Sequence, residues 1–321
     1  MSEPRSERVE TAAAAETLRA LTDNLARVVH APEETLRLCV VCLISEGHLI
    51  LEDFPGVGKT MLAKALARSL DVSFSRMQFT PDLLPSDVTG VNVYNQRSNE
   101  FEFKPGPVFA NLLLVDEINR ASPKTQAALL ECMQEQQVTI DGVSYELARP
   151  FMVMATQNPI EYEGTYPLPE AQLDRFTMRI AIGYPPLADE AKMLTEQTAD
   201  PPLESLQPVA GAADALALAD EAKEIFVEES LNRYVVALLR ATRADSRLYL
   251  GASPRAGIAL LRVAKARALA DGREFVEPDD VKGVAVPVLA HRLILAPEAS
   301  SSGLTGQQIV RETLDKTPVP V

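Results

Sequence analysis

The stretch HLILEDFPGVGKTMLAKALARSL, residues 48–70, decides the fold. An apolar run is followed by a glycine-rich turn and then by leucines at every fourth position up to Leu70. This order predicts a buried strand, a loop and an amphipathic helix. Gly56 and Gly58 allow the backbone N–H groups of such a loop to converge on one anion, and the helix start adds its positive dipole end.

The turn therefore predicts a phosphate-binding loop. Lys59 would reach the β- and γ-phosphates, and the Thr60 hydroxyl would join a magnesium ion. The strict pattern G-x-x-x-x-G-K-[ST] has a glycine where this chain has Asp53, but both glycines beside the lysine are present. We prefer this interpretation to a turn that merely begins a helix. The predicted nucleotide-binding residues are Pro55, Gly56, Val57, Gly58, Lys59, Thr60 and Met61.

A second apolar run, NLLLVDE at 111–117, ends in two carboxylates. Ligands of open α/β sheets bind at the carboxyl ends of the strands. Asp116 is therefore predicted to hold magnesium, and Glu117 to polarise the water that attacks the γ-phosphate. Such a pair on its own is more often a solvated strand end, but its place after a phosphate loop favours the nucleotide site.

The first half of the chain predicts an α/β core with a parallel sheet. Apolar runs of strand length alternate with segments long enough for crossover helices. The inserts at 90–109 and 137–150 alternate apolar and polar residues around turns, which is typical of β-hairpins. The predicted sheet strands are HLILE (48–52), FSRMQF (74–79), NLLLVDE (111–117), FMVMAT (151–156) and TMRIAIG (177–183).

The second half predicts an all-helical domain. Ser253 and Pro254 have the character of a helix start, and Gly272 that of its end. EPDDVKGVAVPVLAHRL would form the last helix. One predicted helix face comprises Leu231, Tyr234, Val235, Leu238 and Leu239. We expect a flexible lead over 1–16, a core over 17–186, a helical lid over 187–300 and a loose tail over 301–321.

Composition narrows the class of protein. The net charge of −14 and the pI near 4.8 disfavour a nucleic-acid clamp, which needs clustered Lys and Arg. No apolar run is long enough to span a membrane and the N-terminus lacks a signal core, so we expect a cytoplasmic protein. Cys39 and Cys42 lie in a helical pattern that predicts buried thiols rather than redox chemistry. The scattered histidines and cysteines predict no metal site of their own.

Several segments closely resemble the MoxR family of AAA+ ATPases: EDFPGVGKT, LLLVDEINRASPKTQAALLECMQE, ATQNP, EGTYPLPEAQLDRF and GASPRA, in this order. The resemblance extends over about residues 30–295. It implies a five-stranded parallel sheet of order 5-1-4-3-2 with a helical lid, and hairpins that line the pore of a ring. Members of the family also carry an acidic residue at the position of Asp53. Magnesium-chelatase motor subunits and minichromosome-maintenance helicases look like more distant relatives.

The resemblance also implies roles for single residues. Asn158 is similar to the sensor-1 residue, which orients the attacking water; the alternative is an asparagine that caps a turn before Pro159. Arg255 in SPRA resembles sensor 2, which couples lid position to the phosphates. An exposed arginine at a helix start would otherwise be unremarkable.

Arg175 in LDRF is similar to the arginine finger, which reaches a nucleotide bound by the next subunit. The plain alternative is a surface ion pair with Asp174 or Glu170. Arg120 is a weaker rival for the finger role. A finger that acts on a neighbouring subunit requires a closed ring, so the resemblance implies a nucleotide-promoted hexamer.

Taken together, the sequence predicts a magnesium-dependent ATPase that remodels a protein client, with ATP and Mg²⁺ as cofactors. The resemblance implies a partner with a von Willebrand factor A domain. A nucleic-acid motor is an alternative, but the hairpins offer only Arg97, Lys104 and Arg149 against four acids. A metal-chelatase motor subunit stays open. A non-hydrolysing switch is disfavoured, because the catalytic set is complete.

Overall fold

The computed structural model describes residues 5–54, 56–158, 165–184, 190 and 202–319. Strands and helices are numbered in chain order over these residues. The strands are β1 (Leu49–Glu52), β2 (Phe74–Gln78), β3 (Gly90–Asn95), β4 (Glu100–Pro105), β5 (Leu112–Asp116), β6 (Gln137–Ile140), β7 (Val143–Glu146), β8 (Met152–Gln157), β9 (Met178–Ile180), β10 (Leu248–Leu250) and β11 (Ile294–Leu295).

The α-helices form the layers around the sheet and most of the second half of the chain. They are α1 (Arg5–Ala26), α2 (Glu33–Ile44), α3 (Lys59–Ser69), α4 (Pro85–Thr89), α5 (Pro123–Glu135), α6 (Glu170–Leu173), α7 (Pro202–Ser205), α8 (Ala212–Glu224), α9 (Glu229–Ala244), α10 (Pro254–Ala270), α11 (Pro278–Leu289), α12 (Pro297–Ser301) and α13 (Gly306–Lys316). Short 3₁₀ turns lie at Pro107–Phe109, Ile118–Arg120 and Ala290–Arg292.

The central sheet has five parallel strands in the order β2-β5-β8-β1-β9. Counted along the chain, these are strands 2, 3, 4, 1 and 5, so the expected order 5-1-4-3-2 is confirmed. Leu49 of β1 lies opposite Met154 of β8, and Leu113 of β5 lies opposite Val153. This register brings the ends of β1, β5 and β8 together at one edge of the sheet.

Alternate residues of each strand serve the two faces of the sheet, as the pleat requires. Leu112 and Leu114 of β5 pack with α1, α2 and α3, whereas Leu113 and Val115 pack with α5. These four side chains of β5 are completely buried. Burial on both faces explains why the strand is a continuous apolar run, which stops where Asp116 meets the cleft.

The two predicted hairpins are present and contact each other. β3 pairs with β4 and β6 pairs with β7, both antiparallel. The ring of Phe103 stacks on that of Tyr145 at 4.2 Å, and Asn92 donates a 2.6 Å hydrogen bond to Asp141. Asp141 and Gly142 both have positive φ, which matches the twist of a tight hairpin turn.

The second half of the chain is helical, with one addition that the prediction lacked. The predicted apolar face of α9 is buried, and the Ser253 hydroxyl caps α10 by accepting a hydrogen bond from the Ala256 N–H at 3.1 Å. Gly272, with φ of 72°, follows the end of α10. However, β10 and β11 form a small antiparallel sheet, so this half is not all-helical.

Both ends of the chain are more ordered than predicted. Residues 5–16 are not a flexible lead but part of α1, because the alanine run has high helix propensity and Ala14 and Ala15 are buried. The tail 301–321 is not loose either: α13 packs against α11, and its Ile309 and Val310 are buried. The predicted boundary at 186/187 lies outside the described residues.

Cys39 and Cys42 are buried in α2, as predicted. Burial raises the pKa of Cys39 to about 12 and also raises the pKa of Cys42, so both groups stay protonated thiols. Over the part of the chain that the structure describes, no helix combines the length and the apolar character that crossing a bilayer demands. The cytoplasmic location stays a prediction.

Candidate active site

The phosphate loop connects β1 to α3 at the carboxyl edge of the sheet. Gly56 and Gly58 have φ of 85° and 94°, a left-handed conformation that residues with a side chain rarely adopt. Apart from the glycine and its two neighbours in the chain, no described atom lies within 4 Å of the position that a Cβ would take at either glycine. The glycines are therefore needed for the bend of the backbone, and the space beside them is open. Pro55 lies outside the described residues.

Asp53, which departs from the strict pattern of the loop, has a defined structural role. Its buried carboxylate accepts hydrogen bonds from the N–H of Gly183 at 2.6 Å and from the N–H of Phe54 at 2.9 Å. Its backbone carbonyl accepts a 2.6 Å hydrogen bond from Lys59 Nζ. Because Gly183 follows β9, Asp53 fixes the start of the loop to the edge strand of the sheet.

Lys59 lies in a strongly acidic environment. Partial burial lowers the pKa of its ammonium group, and the carboxylates of Asp53, Asp116 and Glu117 act in the opposite direction. The lysine thus stays a cation in the middle of three acids. An anion with several negative charges would compete with the Asp53 carbonyl for this ammonium group.

Asp116 ends β5 and is almost completely buried. Its Oδ2 pairs with Arg76 Nε at 2.7 Å, and its Oδ1 accepts a hydrogen bond from the Thr156 hydroxyl at 3.3 Å. Arg76 lies on β2, the neighbouring strand. The carboxylate therefore already has a cation beside it, as an ionised and largely buried acid requires.

Glu117 has a strained backbone that other groups hold in place. Its φ of 56° and ψ of 53° are left-handed, which is unusual for a residue with a long side chain. Its N–H donates to the Thr156 hydroxyl at 2.9 Å. Its Oε2 accepts a hydrogen bond from Gln78 at 2.7 Å and pairs with Arg120 at 2.9 Å. Arg120, the rival for the finger role, thus engages the acid of its own subunit.

These groups line one cleft of about 380 Å³. Of the predicted site residues, the cleft contains Gly56, Gly58, Lys59, Thr60, Met61, Asp116, Glu117 and Asn158. Val57 instead packs against the apolar core. Three further residues line the cleft that sequence reasoning missed: Arg76, Gln78 and Thr156. The sequence contains a signal for Arg76 and Gln78, because FSRMQF places these polar residues at alternate positions near the end of a predicted strand.

The cleft also suits a magnesium ion. Mg²⁺ prefers oxygen ligands and usually takes one or two protein groups, with water and phosphate oxygens as the rest. The Thr60 hydroxyl and the Asp116 carboxylate both border the cleft and are ligands of this kind. Thr156 keeps one Asp116 oxygen oriented toward the strand ends.

Arg175 and Arg255 lie in a different pocket, of about 220 Å³, together with Arg262. Among the described residues, none lines both this pocket and the cleft. The Asp174 carboxylate, the partner that the ion-pair alternative gives to Arg175, is held by Arg292 at 2.6 Å instead. The structure therefore does not bring these arginines to the phosphate loop of their own subunit.

The comparisons with known proteins agree with this geometry. The family described as "ATPase family associated with various cellular activities (AAA)" matches residues 48–178, and the AAA lid domain matches residues 240–313. The chain is 41% identical over 318 residues to Chaperone MoxR1 of Mycobacterium tuberculosis, covering 96% of this chain and 84% of that one. The chain belongs to the MoxR family of AAA+ ATPases.

Other proteins match along nearly the whole chain. The uncharacterized protein YeaC of Bacillus subtilis is 48% identical over 299 residues, which is 93% of both chains. Protein MoxR of Methylorubrum extorquens is 31% identical and covers 92% of this chain and 93% of its own. The crystal structure of a candidate ATPase from Cytophaga hutchinsonii superposes with a TM-score of 0.92 at 40% identity, over 99% of each chain.

Proposed function

We propose that this MoxR-family protein hydrolyses ATP with magnesium and works as a ring that remodels protein clients in a chaperone-like way. One observation carries the proposal. The phosphate loop, the two acids and Asn158 line a single cleft, whereas Arg175 and Arg255 line another pocket of the same subunit. Arg175 and Arg255 would therefore complete the cleft of a neighbouring subunit rather than that of their own.

Within one subunit, the cleft can bind and activate the reactants. Lys59 and the start of α3 would hold the phosphates. Thr60 and Asp116 would hold a magnesium ion, which supplies neutralisation of charge on the phosphate oxygens. Glu117 would accept the proton of the attacking water, and Asn158 would orient that water. These roles rest on the shared cleft and on the family.

Between subunits, Arg175 and Arg255 would contact the nucleotide of the neighbour. Fingers of this kind contribute about 10³ to 10⁵ in turnover. Arg262 projects into the same pocket, so the chain concentrates positive charge there in spite of its net charge of −14. A repeated heterologous contact that closes generates a ring, and we propose a hexamer.

The hairpins support a protein client. On the β3–β4 hairpin, Phe101 is 72% exposed, and Tyr94 packs against it edge to face. Val91 and Val93 on the opposite side of the hairpin are exposed too. Exposed apolar surface of this kind suits a polypeptide better than a nucleic-acid backbone, which requires Lys and Arg. A chaperone role is named for one relative, and a von Willebrand factor A partner remains part of the proposal.

Phosphate release from ATP tests the proposal. Wild-type protein with magnesium should hydrolyse ATP and sediment as a ring when nucleotide is present. Lys59→Ala should lose nucleotide binding, Glu117→Gln should bind ATP without turnover, and Arg175→Ala should bind normally but hydrolyse poorly. Arg240→Ala, an exposed arginine of α9, is the matched control and should behave as wild type.

Two results would contradict the proposal. Full turnover by Glu117→Gln would exclude Glu117 as the general base. A protein that stays monomeric under all nucleotide conditions would exclude the ring. Stimulation of the ATPase by DNA but not by unfolded protein would favour the nucleic-acid motor instead.

A further inference from the structure

Arg292 is a buried arginine with no role in the proposed reaction itself. It lies in the 3₁₀ turn after α11, inside the segment that matches the AAA lid domain, and its side chain is only 3% exposed. Its Nη1 donates to the Val288 carbonyl of α11, and its other partners lie outside the lid segment, in residues 174–177 at the end of the segment that matches the AAA core. This guanidinium therefore joins the two domains.

The guanidinium contacts this core segment with all three of its nitrogens. Nε pairs with the Asp174 carboxylate at 2.6 Å, and Nη1 donates to the Thr177 carbonyl at 3.0 Å. Nη2 donates to the Phe176 carbonyl at 2.7 Å and to the Asp174 carbonyl at 3.3 Å. Such a planar fork fixes direction as well as distance. Arg175 lies within the segment held in this way.

Two neighbouring lid residues reinforce the contact. His291 Nε2 donates to the Phe176 carbonyl at 3.1 Å, because a carbonyl oxygen can only accept, and burial lowers the pKa of this histidine. The Ser253 hydroxyl, which caps α10, lies 3.4 Å from Asp174 Oδ2. Asp174 thus contacts the lid at two places, while the Arg175 N–H donates to the Gln172 carbonyl at 3.2 Å and the Thr177 N–H donates to the His48 carbonyl at 2.8 Å. The backbone that carries Arg175 therefore connects the lid to the core.

We propose that Arg292 is the positioning residue for Arg175. It holds residues 174–177 against the lid as well as the core, so the position of the lid influences the direction in which Arg175 leaves the subunit. Movement of the lid in one subunit then changes how Arg175 meets the nucleotide of the neighbour. The inference rests on the proposed role of Arg175 and adds the group that controls it.

Arg292→Lys and Asp174→Asn test this inference. Lysine keeps one charge but loses the fork, and asparagine keeps the shape of Asp174 but removes its charge. We expect kcat to fall on the order of tenfold or more for each variant. The Kd for ATP should stay within about twofold of wild type, because the phosphate loop is untouched. Arg247→Lys is the control, since Arg247 pairs with Asp245 and Glu312 inside the lid.

Mixed rings separate positioning from a purely structural role. Glu117→Gln subunits lack the base but present an intact Arg175, whereas Arg292→Lys subunits have an intact cleft. A 1:1 mixture of the two poorly active proteins should regain about a quarter of wild-type turnover, because that fraction of random interfaces joins an intact cleft to an intact finger. A residue needed only for the stability of its own subunit would give no recovery.

The outcomes distinguish this inference from the proposed function. If Arg175→Ala mixed with Glu117→Gln gives no recovery, the ring mechanism fails. Arg292 does not position the finger if that mixture regains turnover but mixtures of Glu117→Gln with Arg292→Lys or with Asp174→Asn do not. The same conclusion follows if Arg292→Lys and Asp174→Asn each retain full kcat when unmixed. Should Arg292→Lys fail to unfold cooperatively, Asp174→Asn carries the test, since its side chain is less buried.

Discussion

Gln78 donates a 2.7 Å hydrogen bond to the Glu117 carboxylate from the neighbouring strand of the sheet. The parallel register places Gln78 opposite Asp116, one residue before Glu117. The same oxygen of Glu117 also pairs with Arg120. In this conformation Gln78 and Arg120 both bond to Glu117, the proposed base. Glu117 can therefore bind the attacking water more readily when Gln78 releases it.

Gln78→Ala should raise the basal ATP turnover about fivefold, because loss of a hydrogen bond to a carboxylate at this half-exposed position changes its free energy by about 1 kcal/mol. Without this donor, the carboxylate can accept a hydrogen bond from the attacking water instead. Steady-state phosphate release at saturating ATP, without client, measures the effect. Gln307→Ala removes an exposed glutamine of α13, which lines neither the cleft nor the arginine pocket, and should leave turnover unchanged. A fall in turnover would mean that Gln78 orients Glu117 for catalysis.

Thr156→Val should lower kcat by about 5- to 30-fold, since the lost hydroxyl is worth about 1 to 2 kcal/mol to the groups it holds. This hydroxyl accepts from the strained Glu117 N–H and donates to Asp116, so valine leaves both without their partner. Thr156→Ser keeps the hydroxyl and should retain most of the turnover. The two variants compared at saturating ATP test the point; equal kcat values would show that the hydroxyl is dispensable.

Much of the fold and part of the site could be predicted because their signals are local. The phosphate loop lies in consecutive residues, and the buried strands are continuous apolar runs. Because ligands of open α/β sheets bind at the carboxyl ends of the strands, Asp116 could be assigned to the site without knowledge of any contact. Asn158 was assigned to it through the resemblance to the MoxR family. The amphipathic faces of α3 and α9 followed from their spacing in the same way.

What could not be predicted depends on contacts between distant residues. Asp53 and Gly183 are 130 positions apart, and Asp174 and Arg292 are 118 apart. Nothing in either local sequence indicates these partners. The last helix was missed for a different reason: Thr305 and Gln308 form a capping box, but the serine-rich residues before it suggested a loose tail.

Asp53→Gly would restore the strict pattern of the phosphate loop, yet we expect it to destabilise the protein. The change leaves the Gly183 N–H without its carboxylate partner and adds the conformational freedom of glycine, together about 1 to 3 kcal/mol. Urea unfolding measures the difference. Asp53→Asn keeps one acceptor oxygen and should lose less. If Asp53→Gly were as stable as wild type, the carboxylate would not be needed to fix the loop to the edge strand.

The stability of the fold should fall between pH 6.5 and pH 4 in part because of His48. Burial lowers its pKa to about 4, and its two ring nitrogens bond the Met133 carbonyl at 3.2 Å and the Val153 N–H at 3.0 Å, so the folded ring stays neutral. In this pH range the unfolded chain binds a proton that the folded chain does not, which removes up to about 3 kcal/mol of stability. Above pH 6.5 the ring is neutral in both the folded and the unfolded state, so the full stability is retained.

His48→Gln tests this source of the pH dependence. Between pH 7 and pH 4.5, its free energy of unfolding in urea should fall by about 2 to 3 kcal/mol less than that of wild type. Phe151→Leu, which alters the ring packed on His48, should lower stability equally at both values; an unchanged pH dependence in His48→Gln would exclude His48 as its source.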